Sequence, residues 1–119
     1  MSDPRRVVGQ QGEDAAAAWY EAAGYEILDR NWRVREGELD LVVADAGTVV
    51  FCEVKTRRGD AFGLPAEAVT ARKQQRLRVL ARQWLSAHAP SSALLRFDVA
   101  AVLPDGHGGW AVEVFTDAF

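Results

Sequence analysis

The sequence is short of most features that mark an exported, membrane-bound or thiolate-metal protein. It has one cysteine, Cys52, in 119 residues. An internal disulfide is therefore excluded, and a thiolate zinc site lacks a second ligand. Cys52 falls inside an apolar strand pattern and reads as a small core residue, in keeping with a reducing cytoplasm. No apolar run approaches the ~20 residues that cross a bilayer. The opening segment "MSDPRRVVGQ" lacks the apolar core of a signal peptide, so export is not expected, and without a spanning run no membrane partner is expected. Repeats and low-complexity segments are absent. The two histidines, His88 and His107, have no Ser or Cys partner at a meaningful spacing and read as exposed bystanders. The "GHGG" around His107 bridges two strands and is no phosphate loop. Lysine is equally scarce: of 14 basic residues only Lys55 and Lys73 are not arginine.

What is present is the material of one globular domain. Hydrophobic residues make up 49% of the chain and charged residues 26%, enough for a single core and too apolar for disorder. The expectation is one domain over 1–119, with about 1–7 and 116–119 as loose tails. Net charge is −3, which weakly opposes nucleic-acid binding. The distribution is less even: Arg57, Arg58, Arg72, Lys73, Arg76, Arg78 and Arg82 face only Asp60 and Glu67 in the same stretch. Such a stripe is either a local footprint for phosphates or a solvated helix face.

Patterning predicts seven elements. "VGQQGEDAAAAWYEAA", from Val8 to Ala23, is Ala-rich and reads as a helix stopped by Gly24. Tyr25 to Val34 reads as a strand. Gly37 to Lys55, "GELDLVVADAGTVVFCEVK", reads as a hairpin turning at Asp45–Gly47. Thr56 to Pro65 is a Gly/Pro-containing loop of the kind that moves. Thr70 caps a helix from Ala71 to Ala87 with an apolar stripe of Leu77, Leu80, Ala81, Trp84 and Leu85. Leu94–Leu103 and Trp110–Phe115 read as two further strands. The order is α-β-β-β-α-β-β. The strand–helix–strand crossover predicts an α/β fold with a central mixed sheet flanked by helices.

The hairpin carries charges among residues that want burial. With a two-residue loop at Ala46–Gly47, Asp45 faces Thr48, Asp40 falls opposite Glu53, and Glu38 falls opposite Lys55. Opposed residues share a face, with Cβ atoms ~4.5–5.5 Å apart. One face then holds Leu39, Leu41, Val43, Val50, Cys52 and Val54. The other holds Val42, Val49 and Phe51, then the four charges at one end. Paired carboxylates repel and raise one another's pKa. A hard divalent cation such as Mg²⁺ or Mn²⁺ relieves this through oxygen ligands. Ion pairing by Lys55 alone is the competing reading, but it leaves one of Asp40 and Glu53 unexplained. Glu13 shares a helix face with Ala16, Ala17 and Tyr20 and is placed either in the same cluster or as an acid complementing the helix dipole. Lys73, four residues before Leu77, starts the core-facing stripe of the second helix and suits a point contact with phosphate.

Asp40 followed by Glu53-Val54-Lys55 resembles the catalytic motif of the restriction-endonuclease-like nuclease superfamily. The longer text "GQQGEDAAAAWYEAAGYEILDRNWRVREGELDLVVAD", "VVFCEVKTRRGDAFG", "AVTARKQQRLRVLARQWL" and "RFDV" resembles the bacterial YraN-like family, related to archaeal Holliday-junction resolvases. The resemblance implies a restriction-endonuclease-like fold and hydrolysis of DNA phosphodiesters. It implies Glu13, Asp40 and Glu53 as metal-binding acids, the Val54 carbonyl as a further ligand, and Lys55 as the catalytic lysine. Arg57, Arg58, Arg72, Lys73, Arg76 and Arg82 would bind flanking phosphates without reading sequence, and Phe62 would stack on an unpaired base only if it does not pack on its own domain. Branched or structured DNA is the substrate this likeness suggests. A homodimer would follow from symmetric cutting, although no dimer stripe is visible. The contrasting expectation is a non-catalytic nucleic-acid-binding or scaffold module on the same fold.

Overall fold

The computed structural model describes residues 3–57, 69–88 and 94–119. Its elements are α1 (Pro4–Ala22), β1 (Glu26–Val34), β2 (Gly37–Asp45), β3 (Thr48–Thr56), α2 (Ala71–His88), β4 (Leu94–Pro104) and β5 (Trp110–Phe115). The five strands form one sheet in the order β1-β2-β3-β4-β5. Only β3 and β4 pair in parallel; the other neighbours are antiparallel. This is the expected mixed sheet and element order. The crossover through α2 is what allows β3 and β4 to run the same way. Most of the loop read from Thr56 to Pro65, with Arg58 and Phe62, lies outside the described residues. Among the described residues, no helix is long and apolar enough to cross a membrane.

Each helix covers one face of the sheet. Ala16, Ala17 and Tyr20 of α1 pack on Leu41, Val43, Val50 and Cys52. Leu77, Leu80, Ala81 and Trp84 of α2 pack on Val42, Val49, Phe51 and Phe97. The alternation along β2 and β3 therefore sorts the two cores, with one departure. Leu39 was expected beside Leu41 but belongs to the α2 side, with Val42. The departure falls where Asn31 and Asp40 drop out of the β1–β2 pairing, between Arg30–Leu41 and Trp32–Leu39. Asn31 has φ of 52°, a left-handed conformation that interrupts strand alternation.

Two boundaries differ from the sequence reading. α1 begins at Pro4, not Val8, because Asp3 caps it by accepting from Arg5 N at 2.9 Å, and proline suits the first helical position. Residues 4–7, expected within a loose tail, are thus its first turn. At the other end, Ala118 N donates to Phe97 O at 2.7 Å and the Phe119 ring stacks on Phe97, so apolar burial holds the residues after β5. His88, read as a bystander, is exposed but stacks on Trp84, its Nδ1 2.8 Å from Trp84 O.

The hairpin turn is as expected. Asp45 pairs with Thr48, and Ala46 and Gly47 have φ of 48° and 84°, the positive pair that a two-residue turn matching strand twist requires. Gly12 serves a different purpose. A Cβ there would sit 1.8 Å from Thr56 Oγ1, so α1 crosses the end of β3 at a distance only glycine allows. Alanine in a helix interior is normally better than glycine by about 1 kcal/mol. Gly12→Ala is nevertheless expected to destabilise by roughly 1–3 kcal/mol through overpacking, measured by thermal melting. A rise in melting temperature would show that the approach is loose.

Candidate active site

The functional residues gather where β2 and β3 part. Their ladder ends at Leu41–Cys52. Beyond it, β2 stays paired with β1, and β3 stays paired with β4 as far as Thr56. In the gap, Val54 N donates to Asp40 Oδ2 at 2.9 Å. A side chain has taken the amide that a backbone carbonyl would otherwise hold, and so wedges the strands apart. The N–H and C=O of one strand residue point to the same edge, so the Val54 carbonyl also faces this fork. The expected opposition of Asp40 to Glu53 and of Glu38 to Lys55 as ladder pairs is thus replaced by a fork. Glu38 instead accepts from Arg33 Nε at 2.9 Å, its partner across β1.

Glu13 comes from α1, held over the fork by the Gly12–Thr56 contact one residue away. One carboxylate oxygen each from Glu13, Glu38 and Asp40 lies within 4.8 Å of the others. The resemblance implies Glu53 as the third acid, and the hairpin pattern places Glu38 in the same charge cluster; in the structure Glu38 is the one that converges with Glu13 and Asp40. Glu53 sits beside Asp40 but is taken up by two ammoniums: Lys73 Nζ at 2.7 Å and Lys55 Nζ at 3.6 Å. Asn31 was missed altogether. With its amide nitrogen facing the acids, it donates to Glu13 Oε2 at 2.7 Å and Glu38 Oε1 at 2.8 Å. It is the chain's single asparagine, placed inside a strand, where asparagine is disfavoured. That was the available signal.

Electrostatics follow from this crowding. Burial, then the charge of Glu53, pushes the Asp40 carboxyl up to about 7 despite the Val54 N–H bond. Burial and the charge of Glu38 raise Glu13 above its ordinary value. Burial, then contact with Lys73, lowers Lys55. Burial also works to lower Lys73, but its bonds to Glu53 and Lys55 outweigh that and the net shift is upward. The two lysines move in opposite directions because they share one carboxylate and Lys73 is closer to it. Lys73 is therefore engaged with Glu53, and not the free phosphate contact that the sequence suggested.

A cleft of about 590 Å³ opens at the fork, lined by Glu13, Asp40, Glu53, Lys55 and Arg57 together with the first turns of α1. Arg57 N is tied to Val102 O, which fixes the backbone at the cleft edge. On α2, Arg72, Arg76 and Arg82 are exposed. Arg76 passes close to Gly37 at the start of β2. Arg72, four residues earlier, shares that flank. Arg82 follows the opposite flank with Arg78, whose guanidinium lies over the Phe97 ring at 4.9 Å. The basic residues thus divide between two sides of the helix.

The donor set suits a hard divalent cation. Three carboxylates converge; Arg33 pairs with Glu38, while burial first, and neighbouring acids second, raise Asp40 and Glu13. Oxygen-only ligation with exchangeable positions is what Mg²⁺ and Mn²⁺ accept.

Comparison with known proteins adds the family. Residues 12–102 match the group described as "Uncharacterised protein family UPF0102". A UPF0102 protein of Frankia casuarinae is 54% identical over 112 residues, covering 94% of this chain and 95% of its own. One from Rhodococcus opacus is 50% identical over 113 residues, covering 94% and 95%. One from Pelotomaculum thermopropionicum is 47% identical over 120 residues, covering both chains fully. The chain belongs to the UPF0102 family. The matched range, 12–102, spans the positions of Glu13, Asp40, Glu53, Lys55 and Lys73.

Proposed function

We propose that this member of the UPF0102 family is a metal-dependent endonuclease that hydrolyses phosphodiester bonds of branched or otherwise structured DNA in the cytoplasm. The observation that supports this most is the convergence of Glu13, Glu38 and Asp40 beside the Glu53–Lys55–Lys73 group at the mouth of one cleft. Glu13, Glu38 and Asp40 would hold Mg²⁺ or Mn²⁺, with the Val54 carbonyl available as a further oxygen. When bound, the ion would neutralise charge building on the phosphate and make water a better nucleophile. Asn31 fixes the orientation of Glu13 and Glu38. Lys73 holds Glu53 in place, and the lowered Lys55 is then free to orient the attacking water or take its proton. Arg57 holds a flanking phosphate, with Arg72 and Arg76 beyond it.

A second reading, a nucleic-acid-binding or scaffold module, draws on the same ion pairs. Lys55 and Lys73 neutralise Glu53 without any metal. Arg33 balances Glu38, but that reading leaves Glu13 and Asp40, both raised, without an ion-pair partner among the described residues, which is why the nuclease is favoured.

A panel of branched, flapped, single-stranded and duplex DNA separates them. The wild type should cut at least one substrate with Mg²⁺ or Mn²⁺ and stop in EDTA. Asp40→Ala, Glu53→Ala and Lys55→Ala should each lower the rate by about 10²-fold or more, with DNA binding retained. Binding without cutting supports the module. Equal cutting by wild type and Asp40→Ala points to a contaminant.

A further inference from the structure

We infer that the sheet-facing side of α1's first turns, where it overhangs the cleft, is the wall along which one nucleic-acid strand enters, and that Gly9 is where the strand's backbone passes closest to the protein. The inference rests on the nuclease reading and names the substrate-side surface of the same site.

Arg5, Gly9 and Glu13 are spaced four apart and stack along one face of α1. All three line the cleft that reaches Asp40 and Glu53. At 1.5 Å per residue, Arg5 lies about 12 Å along the helix from Glu13. The face thus runs from a guanidinium, over a bare backbone, to the acidic cluster. Arg57 stands across the cleft at the end of β3. Two cations at the entrance and acids at the end of the path suit a polyanion drawn in toward a cation site.

Gly9 has no explanation among the described residues. Glycine in a helix interior is destabilising relative to alanine. At Gly12 the Thr56 side chain demands it. At Gly9 a Cβ would meet nothing within 4 Å among the described residues, and φ is not in the left-handed region. What remains is close approach of an external backbone, a use to which glycine is suited. Gln10, the next residue, is exposed and does not line the cleft.

The test measures binding of a fluorescein-labelled flapped DNA in EDTA, where no cutting occurs, together with melting temperature. Gly9→Leu and Gly9→Trp should weaken binding at least about tenfold by obstructing the strand. Gln10→Trp should bind within about twofold of wild type, as surface changes away from a contact do. Gly9→Ala should melt above wild type, because helix propensity improves and nothing is displaced. Wild-type binding with undiminished binding by Gly9→Trp and Gly9→Leu would overturn the inference and leave the nuclease reading standing. Both Gly9 variants melting well below Gln10→Trp would also overturn it, since the cleft wall would then be covered by the chain itself. Neither binding nor cutting by the wild type would remove both.

Discussion

Asp98→Ala is expected to lower the melting temperature by roughly 12–20 °C, the largest stability loss of any single change considered. Asp98 is fully buried in β4. Tyr20 OH donates to its Oδ2 at 2.6 Å, Arg96 Nε and Nη2 donate at 2.8 Å, and Asp117 N donates to Oδ1 at 3.0 Å. One carboxylate thereby ties α1, β4 and the residues after β5 together. Burial drives the Tyr20 phenol far above its ordinary pKa, so it remains a proton donor throughout. Removing the acid leaves the Arg96 charge and the Tyr20 hydroxyl without their acceptor. Breaking a buried pair in this way costs about 3–5 kcal/mol, and a domain of this size loses about 4 °C per kcal/mol. Asp98→Ala combined with Arg96→Met should recover part of the loss, since the stranded charge is gone. A single-mutant shift below about 4 °C would mean that the network contributes little.

Asp40→Asn should have the opposite sign in the absence of metal. The Asp40 carboxyl is raised to about 7 by burial and by the charge of Glu53. An acid whose folded pKa lies above its unfolded value stabilises the fold fully below the unfolded pKa, near 3.8. That contribution is lost as pH rises through about 7, because the ionised form is the one the fold disfavours. In EDTA the wild type should therefore fall behind Asp40→Asn progressively between about pH 4 and pH 7, by at most about 4 kcal/mol. Asparagine still accepts from Val54 N, so the wedge at the fork is kept. If the variant melts below the wild type at pH 8 in EDTA, Asp40 is stabilised by its lysine neighbours and no charge is in excess. The same titration governs cations: binding requires the ionised carboxylate, so affinity should rise with pH through about 7.

The fold and the gathering of charges at one end of the hairpin are legible in the sequence. The turn at Ala46–Gly47 set the β2–β3 register, and alternation then gathered the charges at one end of the hairpin. Thr70 was identified as a cap, and its Oγ1 accepts from Lys73 N at 3.2 Å. What could not be read was the fork, because pairing rules assume a continuous ladder. Once the ladder stops at Leu41–Cys52, opposition no longer decides who meets whom. Glu38 then turns to Arg33 and Asn31, and Glu53 to Lys73 across the α2 interface. Leu39 changes face next to Asn31, whose left-handed φ of 52° is not encoded in side-chain periodicity. The start of α1 was missed on a simpler count: Asp3-Pro4 is a capping signal, but the Ala-rich run drew the boundary inward.

The most direct measurement is thermal melting of wild type and Asp40→Asn at pH 8, in EDTA and with Mn²⁺ in excess. A cation held by Glu13, Glu38 and Asp40 binds only the folded chain. At a hundred times its dissociation constant it should stabilise the wild type by about 2.7 kcal/mol, or about 10 °C. Asp40→Asn, which starts higher in EDTA, should gain much less. Equal Mn²⁺ shifts in both proteins, or none in either, would contradict a metal site at the fork and leave the lysine ion pairs as its whole electrostatic account.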